Sequence, residues 1–257
     1  MDVIKSKTNP FGGVIPDPDA LPACREAFHV QLVRSLDAWK EAAHKVVWLE
    51  IPIDKSSLIP VAVDAGFDFH HSGTDYLMLT LRLVPGAFIP PYATHYIGAG
   101  GVVLTDDQEL LVVTEKVHRH SRPRYYKLPG GALQPGEHLV NGVIREVREE
   151  TGVLARFESL ACFRHWHGYR YGKSDIYFVC RLSPLTRELR CQETEIEECL
   201  WMPVADYLAS RHVGVFNKRV VQAALSNGGG LAPGWIEGYD EDPHRREIFL
   251  PESNGHP

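Results

Sequence analysis

The sequence has no long apolar run, no excess of positive charge, and no repeated or low-complexity segment. No stretch approaches the roughly 18 apolar residues that a membrane-spanning helix needs. The first residues, MDVIKSKTNPFGG, lack the apolar core of a signal peptide. With a net charge of −6, the chain also lacks the basic surface that holds long nucleic acids. We therefore expect a cytoplasmic protein with no membrane partner and no stable nucleic-acid partner.

Cysteine is scarce and is not arranged for metal binding. The five cysteines are an odd number, with no C-x-x-C pair and no spacing typical of a zinc site. They are Cys24, Cys162, Cys180, Cys191 and Cys199. We predict that they are buried free thiols. His165 and His167 stand close together but have no further ligand at a zinc-like spacing, so the sequence predicts no separate metal site there.

A chain of 257 residues with 44% hydrophobic and 23% charged residues is long enough for two folded domains. Proline and glycine in residues 1–20 indicate an irregular lead-in, and the stretch VPGAFIPPYATH (84–95) indicates a linker. We predict a small α/β domain over 21–90, a second domain over 91–230 and a C-terminal extension over 231–257.

The second domain combines apolar strands with a few helices. IGAGGVVLT and ELLVVTE are predicted to pair around the Asp106-Asp107 turn, and SDIYFVCRL (174–182) and LWMPV (200–204) to form later strands. Apolar spacing predicts helices over 137–151, near 204–210 and over 217–226. A mixed sheet with one central and one late helical region is typical of an α/β/α sandwich.

The stretch REVREETG (145–152) contradicts ordinary helix chemistry. Glu146, Glu149 and Glu150 crowd the last turns of the predicted helix, where the helix dipole favours cations and where spacings of three and four bring like charges together. Glutamate clusters are usually solvated helix faces. Three carboxylates at one place also match the oxygen ligands that Mg²⁺ prefers. Gly152 is predicted to end the helix in a left-handed conformation.

The residues around this stretch resemble the Nudix box, G-x5-E-x7-R-E-U-x-E-E-x-G-U with U aliphatic. Gly131, Glu137, Arg145-Glu146-Val147, Glu149-Glu150 and Gly152-Val153 match its defined positions. The resemblance implies a Nudix hydrolase that cleaves a nucleoside diphosphate derivative with Mg²⁺ or Mn²⁺. It further implies that Glu146, Glu149, Glu150 and the Gly131 carbonyl bind the metal, and that a Glu137–Arg145 salt bridge and Gly152 support the site.

The resemblance extends to VVWLEIPIDKSSLIPVAVDAGFDFHHSGTDYLML (46–79), FRHWHG and KSDIYFVCRLSP. These stretches are similar to a Nudix subgroup that contains the mammalian fibroblast-growth-factor antisense Nudix protein and a set of plant Nudix hydrolases. This likeness implies a Nudix α/β/α sandwich preceded by a small acetyltransferase-like α/β domain. It also implies a homodimer that acts on ADP-ribose or NADH and releases AMP.

Residues outside the box are candidates for proton transfer and substrate binding. Glu195, in the acidic segment CQETEIEECLWMPV (191–204), is the candidate general base by analogy with relatives that place a glutamate before this tryptophan. Arginine binds phosphate and aromatic rings stack on bases. The candidate substrate-binding residues are Arg122, Arg124, Lys127, Arg164, His165, Trp166, Tyr169 and Tyr171. For each of these residues, an exposed loop position without function is an equal alternative.

The substrate stays open at this level. The segment WHGYRYGK (166–173) lacks the proline that many ADP-ribose pyrophosphatases carry beyond the box, and the SQPWPxPxS array of bacterial NADH pyrophosphatases is absent. Tyr169 and Tyr171 fall near the specificity tyrosine of dinucleoside polyphosphate hydrolases. Alternative functions are therefore cleavage of dinucleoside polyphosphates or CoA, or a module that binds a nucleotide or a protein partner without turnover. The acidic balance disfavours RNA decapping.

Overall fold

The computed structural model describes residues 2–116, 125–226, 230–234 and 248–251. The chain divides into two compact units, with the boundary between Thr94 and His95. Among the helices within these ranges, none is both long and apolar enough to cross a membrane.

The first unit is a sheet with helices packed on one face. Its strands are β1 (Ser6–Thr8), β2 (Gly13–Pro16), β3 (Val46–Pro52), β4 (Asp68–Ser72) and β5 (Tyr76–Arg82). Its α-helices are α1 (Arg25–Glu41) and α2 (Ile59–Asp64). The strand order is β1-β2-β3-β5-β4. β2 runs parallel to β3, and the other neighbours are antiparallel.

Alternating residues of β3 build the core of this unit. Val47, Leu49 and Ile51 are buried on one face of the sheet, since successive strand residues point to opposite faces. Helix α1 buries Phe28 and Leu32 in the same cluster, four residues apart and therefore on one helix face.

Residues 1–20, expected to be irregular, contain the strands β1 and β2. Ile4 and Val14 lie in the core of the first unit. Gly12, with φ of 77°, turns the chain between the two strands, and β2 then pairs with β3. Proline and glycine favoured a loop. The strands form because β2 pairs with β3, whose residues lie more than thirty positions away, and local composition does not reveal such a pairing.

The second unit holds the motif. Its strands are β6 (His95–Val103), β7 (Glu109–Glu115), β8 (Gly130–Ala132), β9 (Ala155–Trp166), β10 (Ser174–Pro184), β11 (Ile196–Pro203), β12 (Leu231–Gly234) and β13 (Ile248–Pro251). Its α-helices are α3 (Leu139–Thr151), α4 (Val204–Ala209) and α5 (Val215–Leu225). One sheet has the order β13-β12-β9-β10-β6-β8, and β7 pairs with β11 in a second sheet. β6 and β10 are parallel, so the larger sheet is mixed.

Two apolar clusters cover the two faces of these strands. Helix α3 contributes Val143 and Val147 to one cluster, together with Ala99 of β6 and Cys180 of β10. Helices α4 and α5 contribute to the other, which holds Tyr207, Val220, Val102 and Val179. Neighbouring residues of one strand thus face opposite helical layers, which is the predicted α/β/α sandwich.

The predicted pairing of β6 with β7 is wrong. A single bridge, Leu104 to Leu110, joins the two segments at the turn. Beyond it, β6 pairs with β10 and β8, and β7 pairs with β11. Because β6 is paired with β10 on one edge and with β8 on the other, β7 pairs with β11 in the second sheet.

The prediction of buried free thiols is wrong for three cysteines. Cys191 and Cys199 form a disulfide, with their Cα atoms 5.8 Å apart, and Cys24 is exposed. Cys180 is buried and Cys162 half-buried. The turn before β11 brings the two bonded cysteines together, and their spacing of eight residues gave no signal for it.

The described part of segment 231–257 adds strands to the edge of the larger sheet. β12 pairs with β13 along its length and meets β9 at Leu231 and Leu160. The segment predicted as a C-terminal extension therefore shares a sheet with the second unit.

Candidate active site

Helix α3 carries the central motif. Its buried face includes Leu139, Val143 and Val147, at the spacing of one helix stripe. Gly152 ends the helix in the left-handed conformation, with φ of 76°, and its N–H donates to the Arg148 carbonyl. The predicted helix and its glycine cap are confirmed, and the observed helix begins two residues later than predicted.

Arg145 locks the preceding loop onto the helix. Its Nε and Nη2 donate to the two carboxylate oxygens of Glu137 at 2.7 and 2.8 Å. The Gln134 N–H also donates to Glu137. The hydrogen bond from Arg145 is the main cause that holds the pKa of Glu137 below its usual value. The predicted salt bridge between these residues is present.

The same guanidinium gathers two glutamates of the motif. Arg145 Nη1 donates to Glu146 at 2.8 Å and to Glu149 at 2.9 Å. A cation between two carboxylates reduces the repulsion that crowding would otherwise cause. The like charges at the helix end are therefore partly neutralised from within the motif.

Glu150, the third glutamate, is buried, with 5% of its surface exposed. Its Oε2 accepts from the Gly130 N–H at 2.9 Å, and its Oε1 lies 3.6 Å from the ammonium of Lys127. Burial raises the pKa of Glu150 to about 7, although Lys127 and the Gly130 N–H act in the opposite direction. A buried carboxylate with an incompletely compensated charge is suited to bind a cation.

The strand β8 passes directly beside these carboxylates. A Cβ on Gly131 would lie 2.7 Å from the carboxyl carbon of Glu146, so Glu146 keeps its observed position only with glycine at 131. Gly131 lies opposite Ala99 in the β6–β8 ladder. Gly130, the preceding residue, supplies the N–H that binds Glu150.

The donor set fits a hard divalent cation. It consists of carboxylate oxygens from Glu146, Glu149 and Glu150 beside the two glycines of β8, and such cations prefer oxygen ligands. Within the described part of the chain, no three His, Cys, Asp or Glu side chains are already gathered at one point to hold a metal. Arg145 and Lys127 instead supply the positive charge next to the glutamates.

Glu195, the candidate base, lies in an exposed turn just before β11. Its carbonyl accepts from the Lys116 N–H at 2.8 Å, at the end of β7. In the same turn, the Gln192 N–H donates to the carbonyl of Glu150 at 3.1 Å. The turn is thus attached to the end of α3, and the role of Glu195 stays a prediction.

Arg164 lies in a cluster of aromatic rings and is fixed by an ion pair. Its Nη2 lies 2.6 Å from the Asp175 carboxylate. Its guanidinium carbon is 5.3 Å from the Trp166 ring centroid, 5.5 Å from that of Tyr177 and 5.0 Å from that of Phe216. Planar guanidinium groups stack on such rings, so the structure brings Arg164 and Trp166 together as candidates for one contact site.

Tyr177 connects this cluster to the motif through the sheet. Its ring packs over Gly98 and Gly100 of β6, and in the strand ladder it lies between Arg164 and Gly98. Burial is the main cause that raises the pKa of Tyr177, and the nearby Glu150 carboxylate raises it further.

Two more candidate contact residues lie near the end of β9. His165 Nε2 is 2.9 Å from His95 Nε2. Tyr169 meets Trp166 and Tyr96 edge to face, at centroid distances of 5.2 and 5.8 Å.

The remaining candidate contact residues differ in their surroundings. Tyr171 is 88% exposed. Lys127 is paired with carboxylates. Arg122 and Arg124 lie outside the described residues.

Sequence reasoning missed Glu115, Tyr177 and Phe216, and it did not anticipate the hydrogen bond from the Gly130 N–H to Glu150. Glu115 ends β7 and lies 2.5 Å from the Lys127 ammonium. None of the four belongs to the matched pattern, and Gly130 directly precedes its first glycine. Their proximity to the motif arises from strand pairing and from the placement of α5, which the sequence did not indicate.

A Nudix domain is an α/β/α sandwich in which a helix that carries glutamates lies beside a strand that carries glycines. The sequence matches the family described as Nudix hydrolase domain over residues 4–83 and the family described as NUDIX domain over residues 94–223. The chain therefore belongs to the Nudix hydrolase family, whose members are enzymes.

Similar proteins come from plants, animals and bacteria. The chain is 39% identical to Nudix hydrolase 8 of Arabidopsis thaliana over 77% of its own length and 54% of that protein. It is 31% identical to human nucleoside diphosphate-linked moiety X motif 6 over 93% of its length and 75% of that protein. A solved NUDIX hydrolase from Nitrosomonas europaea is 24% identical, with a TM-score of 0.41, over 50% of this chain and 86% of that one.

Proposed function

We propose that the chain hydrolyses the pyrophosphate bond of a nucleoside diphosphate derivative, with ADP-ribose or NADH as substrate and AMP as a product. The observation that carries this proposal is the set of three glutamates at the end of α3, beside the glycines of β8. Glu150 is buried there, and Glu146 fills the space left by the missing side chain of Gly131. Concentrating three negative charges in one place lowers the stability of the fold, and such departures from local rules are expected at functional sites.

In this proposal, Glu146, Glu149, Glu150 and the Gly131 carbonyl hold Mg²⁺ or Mn²⁺. The bound ion supplies charge neutralisation of the pyrophosphate and a lower pKa for the attacking water. Glu195 accepts the proton of the water that attacks one phosphorus in line. Its exposed turn is attached to the end of α3 by the hydrogen bond from Gln192 to Glu150, which supports this placement.

Other residues support the site or bind the substrate. Glu137, Arg145 and Gly152 keep the loop and the helix end in place through the ion pair and the left-handed cap. Arg164 contacts phosphate and Trp166 stacks on the base, consistent with their location in one aromatic cluster. The remaining predicted substrate contacts are His165, Tyr169, Tyr171, Arg122 and Arg124. A homodimeric state and a cytoplasmic location also stay predictions.

The first experiment incubates the purified chain and Mg²⁺ with ADP-ribose, NADH, dinucleoside polyphosphates and CoA, and measures AMP and other products. We expect AMP from ADP-ribose or NADH. Glu149→Gln and Glu150→Gln should lose turnover, while Glu188→Gln, an exposed glutamate outside the motif, should retain it. If no nucleotide yields product and the motif variants behave like the parent, the chain is a binding module.

The role of Glu195 is tested separately. Glu195→Gln should lower kcat by about 100-fold, within the range of a general base, while Mn²⁺ affinity stays unchanged because this residue is not a proposed ligand. Near-parental turnover of Glu195→Gln, alongside an inactive Glu150→Gln, would assign activation of the water to another residue.

A further inference from the structure

Lys127 is a charged side chain in the site that the matched motif does not include. Its main chain forms two hydrogen bonds of 2.9 Å with Val113 of β7, so its backbone is fixed to the smaller sheet. Its side chain is 28% exposed and lies between the carboxylates of Glu115 and Glu150. Burial alone would lower the pKa of Lys127, but these two carboxylates outweigh it and the pKa lies above its usual value.

Lys127 and Gly130 together hold both oxygens of the Glu150 carboxylate. The Gly130 N–H binds Oε2 at 2.9 Å, and the ammonium of Lys127 lies 3.6 Å from Oε1. Both partners belong to one short segment that leads into β8. This segment therefore holds the carboxylate of Glu150 in place, while α3 holds the backbone of the same residue.

Glu115 balances the charge of the lysine. Its carboxylate lies 2.5 Å from the Lys127 ammonium, more than 1 Å closer than that of Glu150. The shorter pair neutralises Lys127, so the ammonium orients Glu150 without cancelling its negative charge. A lysine without this partner would compete with a cation for Glu150.

We propose that Lys127 is a positioning residue that holds Glu150 in the orientation in which it binds the divalent cation, and that Glu115 keeps the lysine from competing for it. This inference rests on the proposed function and replaces the predicted role of Lys127 in substrate binding. Partners of metal ligands that fix ligand orientation typically change metal affinity by about 10–100-fold when removed.

The test measures Mn²⁺ binding by electron paramagnetic resonance, which needs no turnover. Lys127→Met keeps an unbranched side chain that is one atom shorter and carries no charge, and it should weaken Mn²⁺ binding by about 10–100-fold. The KM for the nucleotide at saturating metal should stay unchanged. Lys127→Arg, which can still bridge two carboxylates, should restore most of the affinity.

Glu115→Gln provides a variant with little risk to folding, because this side chain is about half exposed. It should weaken Mn²⁺ binding by about tenfold, since the lysine then pairs with Glu150 alone. Glu109 lies at the other end of the same strand and pairs with Arg187, so Glu109→Gln is the matched control. It should bind Mn²⁺ like the parent.

Two results would overturn this inference. One is unchanged or tighter Mn²⁺ binding in folded Lys127→Met or in Glu115→Gln. The other is a raised nucleotide KM in Lys127→Met with unchanged metal affinity, which would assign the lysine to the substrate. A parent that binds Mn²⁺ but hydrolyses no nucleotide would contradict the proposed function alone, and the binding comparison would still decide the role of Lys127.

Discussion

The carboxylate of Glu146 occupies the space where Gly131 has no side chain, and a Cβ there would lie 2.7 Å from its carboxyl carbon. The helix and the strand β8 are thus fitted to each other at one proposed ligand. This contact joins two residues of the motif, one on α3 and one on β8 fifteen positions earlier in the chain.

Gly131→Ala should abolish most activity while leaving the fold intact. The methyl group meets the far end of a flexible side chain, so Glu146 can move away at little cost to stability. A displacement of about 1 Å at a reacting site can cost about 100-fold in rate. The measurement is kcat together with the thermal midpoint. Gly214→Ala, where a Cβ has open space, is the control, and equal activity of the two variants would contradict the expectation.

The ion pair between Glu137 and Arg145 should contribute to stability as a coupled unit. A double-mutant cycle with Glu137→Gln and Arg145→Gln, followed by urea unfolding, should give a coupling energy of about 1–2 kcal/mol. The expected coupling comes from two hydrogen bonds in a partly buried setting. The exposed pair Glu188–Arg190 serves as the matched control and should show a coupling below about 1 kcal/mol. Equal coupling in both cycles would refute the expectation.

Glu150→Gln should stabilise the metal-free protein while removing its activity. Burial raises the folded-state pKa of Glu150 to about 7 from an ordinary value of 4.5. The folded state therefore loses stability as the pH rises through this range, because the buried group must ionise. In the presence of a chelator, the variant should unfold at a higher temperature than the parent at pH 8 and at a similar temperature at pH 5. A variant that is less stable at pH 8 would contradict this.

Cysteine labelling should follow the order of exposure. Cys24 is exposed and should react first with a maleimide, while Cys180 is buried. Burial raises the pKa of the Cys162 thiol, so its reactive thiolate is scarce and it should react slowly. Cys191 and Cys199 should be labelled only after reduction, because they form a disulfide. Peptide mass spectrometry after timed labelling reads each site, and rapid labelling of Cys191 without reductant would contradict the disulfide.

The local parts of the site could be predicted from the sequence. The helix α3 and its Gly152 cap follow from spacings within one short segment, and the Glu137–Arg145 pair is what the resemblance to the Nudix box implies. Helix periodicity and the capping rule act over a few residues, so a linear pattern contains the required information.

Features that depend on distant pairing could not be predicted. β6 and β7 are neighbours in sequence yet belong to different sheets. The Cys191–Cys199 disulfide and the strands within residues 1–20 were also missed. The strand pairings are decided by which strand edges remain unpaired after the rest of the sheet has formed, and the disulfide by the turn before β11. No local pattern reports either.

The same limit applies to the surroundings of the motif. Lys127 was predicted to bind substrate because a basic residue beside a phosphate-binding motif is usually assigned to phosphate. The structure places Lys127 between two carboxylates, one of them on a strand of the other sheet. The role proposed for Lys127 depends on where Glu115 lies, which is a property of the fold.

The packing of Tyr177 over β6 constrains how related sequences can differ. Its hydroxyl group fills the position that a side chain at Gly100 would need. A relative that carries a larger residue at position 100 is therefore expected to carry a smaller one at position 177. These two positions should vary as a pair among homologues, so a comparison of many sequences could detect the contact without any structure.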